Sequence, residues 1–153
     1  MKTVFVGMSG GVDSSVTAGL LKERGFNVVG VHLKCWNVDG CAEQDSEDAR
    51  RAAEVLDIPF YVFNFEKEYR ERVVSYMVDA YKKGITPNPD VACNQEIKFR
   101  LFLNACIEDG ADLIATGHYA KAKDGKLFVS KDESKDQTYF LYRISKVALQ
   151  KTL

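Results

Sequence analysis

The chain has 153 residues, 46% hydrophobic and 28% charged, enough for one domain with its own core. No apolar run approaches the roughly 20 residues of a membrane span, and the first residues lack the basic, apolar and small-residue order of a secretory leader, so a cytoplasmic protein with no membrane partner is expected. The net charge of −1 argues against blanket affinity for nucleic acid, but residues 1–81 hold 9 Lys and Arg against 13 Asp and Glu while residues 82–153 hold 12 against 9, so the second half is the better surface for a polyanion.

In chain order, residues 2–7 read as a strand and 13–24 as a helix, with Val12, Val16 and Leu20 on one face and Gly25 as its stop. Residues 27–34 are a second strand. A loop over 35–43 carries Trp36, Gly40 and Cys41, and Asp45 is placed to cap a second helix holding Ala49, Ala52, Ala53 and Leu56. Pro59 separates that helix from a third strand at 60–65. Residues 66–83 form a long amphipathic helix with Tyr69, Val73, Met77 and Ala80 inward. Two prolines make 84–90 a loop, and helix resumes around Asn94 and runs to Glu108, with Leu101, Phe102 and Ala105 facing the core. A fourth strand over 112–116 ends at Gly117-His118, a hairpin turns across Asp124-Gly125, and a last helix begins at Asp136 and holds Tyr139, Phe140 and Leu141.

Strands alternating with helices predict an α/β fold, a parallel sheet with helices on both faces and a short β-hairpin near the C-terminal end. In such a sheet the ligand site lies beyond the carboxyl ends of the strands, where the strand order reverses. The loops at 8–15, 33–41, 84–94 and 117–119 are placed to meet there.

The stretch from Gly7 to Ser15 is the most informative. Gly10 and Gly11 permit positive φ and keep side chains away from a ligand. Amides of the loop and first helical turn, added to the positive end of the helix dipole, form an anion site. The hydroxyls of Ser9, Ser14 and Ser15 offer further donors. Asp13 is the only anion in the loop and suits a divalent metal held on a phosphate. The pattern lacks the Gly-Lys-Ser/Thr of a Walker loop, and its glycines are misplaced for a dinucleotide fingerprint.

Residues 86–94, Thr-Pro-Asn-Pro-Asp-Val-Ala-Cys-Asn, deliver Cys93 to a predicted helix start, where the dipole favours thiolate. Asp90 opposes that by like charge and could shuttle a proton. A small buried thiol at a helix start reads equally well from these residues alone. The four cysteines form no close CxxC pairs, so spacing indicates neither a zinc site nor a redox motif. Cys106 reads as core packing, and Cys35 and Cys41 as loop thiols.

Ser-Gly-Gly-Val-Asp-Ser-Ser resembles the pyrophosphate loop of the ATP pyrophosphatases. Together with residues 86–94, Ile97-Lys98-Phe99, Thr116-Gly117-His118-Tyr119-Ala120 and Lys135-Asp136-Gln137-Thr138-Tyr139-Phe140-Leu141, in that order, it is similar to the tRNA-specific 2-thiouridylases, which put sulfur on the wobble uridine. The resemblance spans residues 7–141. It implies the adenine nucleotide alpha hydrolase-like, Rossmann-like arrangement, and an enzyme that uses ATP and Mg2+, acts on tRNA and takes sulfur from a persulfide donor protein.

It implies an ATP site at Gly7, Met8, Ser9, Gly10, Gly11, Val12, Asp13 and Ser14, with Leu33 reaching adenine through its backbone and Gly117 lining the site. Mg2+ falls to Asp13. Asn88, Pro89 and Asp90 meet the target base, and His118, Lys135, Asp136 and Gln137 meet tRNA. Cys93 is the catalytic thiol. The family's second cysteine and its tRNA-gripping domains have no counterpart within residues 1–153, so this domain is expected to be cut from a longer chain. Two other readings stay open: an ATP pyrophosphatase that ligates a small carboxylate, with Cys93 structural, and a nucleotide-binding module without chemistry.

Overall fold

The computed structural model describes residues 1–36 and 41–153; predicted loop positions 37–40, Gly40 among them, and the side chain of Cys41 lie outside the described residues. The strands are β1 (Thr3–Gly7), β2 (Asn27–Lys34), β3 (Phe60–Asn64) and β4 (Leu113–Thr116), and they pair in parallel in the order β3-β2-β1-β4. Helices α1 (Val12–Glu23) and α2 (Cys41–Val55) carry the chain from β1 through β2 to β3. β4 lies on the other side of β1, so the strand order reverses between β1 and β4, and a crevice opens at their carboxyl ends.

The two-residue period of a strand sends Val4 and Val6 to one face and Phe5 to the other. Val4, Val6, Val28 and Ala115 meet Ala18 and Leu21 of α1 and Ala49 and Ala53 of α2. On the opposite face Phe5, Val29, Val31 and Ile114 meet Phe99, Phe102, Leu103 and Cys106. Both faces are covered, as the predicted fold class requires, and the central strands accordingly read as near-continuous apolar runs. An antiparallel hairpin of β5 (Lys121–Lys123) and β6 (Lys126–Phe128) follows, its turn made by Asp124 and Gly125 at φ 53° and 70°. Among the described residues no helix is long and apolar enough to cross a membrane.

Several predicted elements differ in detail. Val12, Val16 and Leu20 face solvent at 76%, 51% and 45% exposure, while Ser14, Ala18 and Leu21 are buried. The buried stripe is the one with small residues because the helix packs close: a Cβ on Gly117 would lie 2.7 Å from the Ser14 amide. Helix α2 begins at Cys41, so Asp45 lies inside it rather than capping it.

The long third helix runs as α3 (Glu66–Tyr69), a π-helical turn over Arg70–Val74 and α4 (Ser75–Lys82). The next begins earlier than predicted, as α5 (Pro89–Cys93). Asn88 caps it by accepting from the Val91 amide at 3.1 Å, and Pro89 takes the first helical position, where a missing N–H costs nothing. The chain continues as a π-helix over Asn94–Phe102 and then α6 (Leu103–Glu108). That change of period buries Ile97, Phe99, Phe102, Leu103 and Cys106 and leaves Leu101 and Ala105 half-buried.

The predicted last helix is two 3₁₀ turns, Glu133–Lys135 and Thr138–Phe140, followed by α7 (Lys146–Gln150). Asp132 and Asp136 accept from the amides of Ser134 and Thr138, at 3.0 and 3.2 Å, and so hold the backbone in turns instead of a continuous helix. Thr152 then bridges in parallel to Ile114. Ile114 is fully buried and joins this bridge to the sheet, so Ile114→Ala is expected to cost about 2–5 kcal/mol in urea unfolding; a loss below about 1 kcal/mol would contradict the placement of the core.

Candidate functional site

A cleft of about 490 Å³ opens at the carboxyl ends of β1, β2 and β4, within the range of small-molecule sites. Gly7 at the end of β1, Met8 and Ser9 of the loop, and Asp13 and Ser14 of the first turn of α1 line it. Leu33, Cys93, Gly117, His118 and Gln137 come to it from four other places in the chain. Of the residues singled out in the sequence, Gly10, Gly11, Val12, Asn88, Pro89, Asp90, Lys135 and Asp136 do not line the cleft.

The loop is shaped by its own hydroxyls. Ser14 Oγ donates to the Gly11 carbonyl at 3.1 Å and accepts from the Ser9 amide at 3.1 Å; Ser15 Oγ donates to the same carbonyl at 3.0 Å. These hydroxyls, expected as ligand donors, therefore hold the turn. The donors left facing outward are backbone: α1 has no side-chain cap, and the amides of Val12, Asp13 and Ser14 precede its first internal bond. Two glycines keep this end bare. Gly10, at φ 87°, lies under α2, where a Cβ would come 2.6 Å from the Asp45 carbonyl, and Gly117 rests on the first turn of α1.

The neighbouring loops are tied to this turn. The Tyr119 amide donates to Gln137 Oε1 at 2.9 Å, the Gln137 amide donates to the Tyr119 carbonyl at 2.9 Å, and Tyr119 Oη donates to Asp13 Oδ1 at 3.1 Å. Lys135 Nζ lies 5.5 Å from the Tyr119 ring centroid. Asp136 accepts from the Ser130 amide at 2.8 Å and from the amide and hydroxyl of Thr138, so its carboxylate holds the loop.

Cys93 is half-buried and ends α5, so the helix-start dipole expected for it acts one turn earlier. Burial pushes its thiol up; Lys98 pulls it down and Asp90 adds to the rise. Cys35, on the same cleft wall, is pushed up to about 12 by burial and by the neighbouring Cys93 thiolate. His118 Nδ1 lies 2.7 Å from Thr116 Oγ1, and burial, with a smaller push from Lys98, holds the ring down to about 4. Ala42, Asp45, Phe102 and Thr116 line the cleft outside the site reading of the sequence, and so do three residues with titratable side chains and no role assigned to them there. His32 is buried in β2, its Nδ1 2.9 Å from the Met8 carbonyl. Tyr69 ends α3, and Lys98 stands in the π-helix. Only Lys98 and Thr116, each inside a quoted motif, carried any signal.

A doubly covered parallel sheet with an uncapped helix at its switch point is an α/β domain of the class that seats anions at a helix start. The chain belongs to the family described as tRNA methyl transferase HUP domain, which matches residues 2–153. It is 53% identical to the tRNA-specific 2-thiouridylase MnmA of Shouchella clausii (strain KSM-K16), over 98% of this chain and 44% of that protein. It is 49% identical to MnmA 1 of Clostridium botulinum (strain Okra / Type B1), over 99% of this chain and 45% of that protein. The chain thus spans less than half the length of these curated relatives. Among solved structures, NMN synthetase from Francisella tularensis superposes with TM-score 0.56 at 21% identity, over 98% of this chain and 65% of that one. A predicted subunit of tRNA methyltransferase from Methanocaldococcus jannaschii superposes with TM-score 0.53 at 20% identity, over 76% of this chain and 53% of that one. These two share the fold.

His118 gives the site a pH dependence. Its folded-state value lies below the ordinary 6.5, so the unfolded chain binds the proton first as pH falls. The stability it contributes is whole above about 6.5 and declines down to about 4, by on the order of 3 kcal/mol. His118→Gln should flatten urea stability across that window. An equally steep profile in the variant would show that the decline arises elsewhere.

Proposed function

We propose that residues 1–153 are the ATP-pyrophosphatase, or PP-loop, domain of a longer tRNA-specific 2-thiouridylase, which adenylates the wobble uridine C2 oxygen and replaces it with sulfur. The observation that carries this reading is that an uncapped helix start and a thiol line one cleft. The relatives named tRNA-specific 2-thiouridylase, about half identical across this whole region, supply the substrate class.

In this reading the amides of Val12, Asp13 and Ser14 receive the phosphates, and Gly117 leaves room for them. The backbone at Leu33 meets adenine. Asp13, the carboxylate at the mouth of the loop, suits Mg2+, which takes one or two carboxylates and fills its remaining positions from phosphate and water. Held there, Mg2+ would supply charge neutralisation for the departing pyrophosphate.

The uridine C2 oxygen attacks the α-phosphorus, and the bond to pyrophosphate breaks. Sulfur reaches C2 by one of two routes, and in both AMP leaves with the oxygen. Either the outer sulfur of a persulfide on a second cysteine attacks C2 and Cys93 thiolate then attacks the donor cysteine's sulfur, breaking the sulfur–sulfur bond and leaving sulfur on C2, or Cys93 thiolate attacks that sulfur first and frees sulfide, which attacks C2. Both routes leave Cys93 and the donor cysteine as a disulfide. Asn88, Pro89 and Asp90, just outside the cleft, meet the target base, with Asp90 as proton carrier. His118, Lys135, Asp136 and Gln137 face tRNA, with His118 neutral. The cytoplasm and a persulfide donor protein complete the reading.

The test is ATP–pyrophosphate exchange by the full-length protein. Exchange that needs uridine-containing tRNA supports the reading. Exchange driven by a small carboxylate without RNA replaces it with a ligase, and ATP binding with no exchange replaces it with a nucleotide-binding module. Cys93→Ser should abolish thiolation and keep tRNA-dependent exchange; normal thiolation would remove Cys93 from the mechanism. Asp13→Ala should lower Mg2+-dependent exchange by about two orders of magnitude, the size of losing one preorganised charge contact. Unchanged exchange would discredit the metal role.

A further inference from the structure

We propose that Lys98 is the positioning residue that holds the Cys93 thiolate in the cleft. The assignment deepens the sulfur-transfer reading and takes its purpose from it.

The π-helix over Asn94–Phe102 is what brings the two residues together. In an α-helix, residues five apart point about 140° away from each other. A π-helix closes i to i+5, so one more residue enters each turn and position 98 returns toward the side of position 93. Both side chains line the same cleft. An extended π segment is uncommon, and short ones recur at functional sites.

Lys98 is half-buried and has no ion pair among the described residues. The nearest acid on its helix, Glu96, has its Oε2 occupied by Arg100 at 2.9 Å and Arg72 at 3.4 Å. The acids that line the cleft, Asp13 and Asp45, stand in α1 and α2, and neither forms an ion pair with Lys98. The charged groups that act on the Cys93 thiol are Lys98, one π turn on, and Asp90 on its own helix, while Cys93 in turn raises Cys35 after β2 and Tyr69 at the end of α3. Lys98 is the cation in that set. Burial and Asp90 oppose thiolate, and Lys98 alone of these offsets them.

In the full-length protein, iodoacetamide alkylation of Cys93 is followed on its own peptide by mass spectrometry, from neutral to alkaline pH, with no ATP or RNA. Lys98→Met should raise the midpoint by about one pKa unit and slow alkylation about tenfold at neutral pH. Lys98→Arg, which keeps the charge, should hold the wild-type midpoint. Lys98→Gln is read in the same way should the methionine variant fail to fold. A midpoint unmoved by loss of the charge, or moved equally by arginine, overturns the assignment. The assay stands apart from adenylation: an unmoved midpoint with intact tRNA-dependent exchange removes Lys98 alone, whereas absent exchange removes the sulfur-transfer reading.

Discussion

The structure depends on one unsatisfied helix end. Amides at the start of α1 have no internal acceptor, and no side chain supplies one. A helix start is usually capped, and an oxygen from Ser, Thr, Asp or Asn at the cap contributes on the order of 1 kcal/mol. Here Gly11 holds the cap position, and the nearby hydroxyls turn inward to the Gly11 carbonyl instead. The donors are thus left to the cleft, and the dipole points the same way. Around that helix end the fold is built close. α2 approaches Gly10, β4 delivers Gly117 onto the first turn, and a Cβ at either place would meet backbone at under 3 Å. Neither backbone neighbour has a flexible end that could swing away.

The other side of the cleft has a different chemistry. Cys93, Cys35, Tyr69 and Lys98 gather there around a small apolar cluster of Val73, Ala92 and Ile97. Burial disfavours every charged form in such a place, and it raises both thiols while lowering His118. The lining therefore combines fixed backbone dipoles that need no titration with side chains whose charge is set by their surroundings. Tyr119 and Gln137 tie the exit of β4 to the helix start, because the same short segment that rests its phenol on Asp13 is clasped by the Gln137 turn.

The fold was legible because its signals are local and repeated. Val28, Val29, Val31 and Leu33 leave no polar face for solvent, which marks a strand covered on both sides, and Gly7 through Ser15 carries its turn chemistry in its residue types. What escaped the sequence depended on packing. Val12, Val16 and Leu20 satisfy a helical period yet lie outside, because close approach to the sheet selected the smaller stripe of Ser14 and Ala18. The early start at Pro89 follows from a cap that Asn88 makes, and that moved Cys93 away from the helix dipole. The π-helix has no period-3.6 signature, so a reading at α-helical spacing chose Leu101 and Ala105 where Leu103 and Cys106 are buried.

The three cysteines whose side chains are described differ in the charges around them, and not in burial alone. Cys106 is buried between α6 and the sheet, and burial and Asp109 both push it up, with no cation to oppose them. Cys35 is held to about 12, above all by burial and by the negative form of Cys93, with Lys98 a lesser counterweight. For Cys93 the order of the opposing effects changes: after burial, Lys98 comes ahead of Asp90. Whichever of the facing pair ionises first raises the other, so Cys93 and Cys35 do not both act as thiolates. The cation nearer in effect to Cys93 decides the choice, and a change of helical period sets where that cation stands.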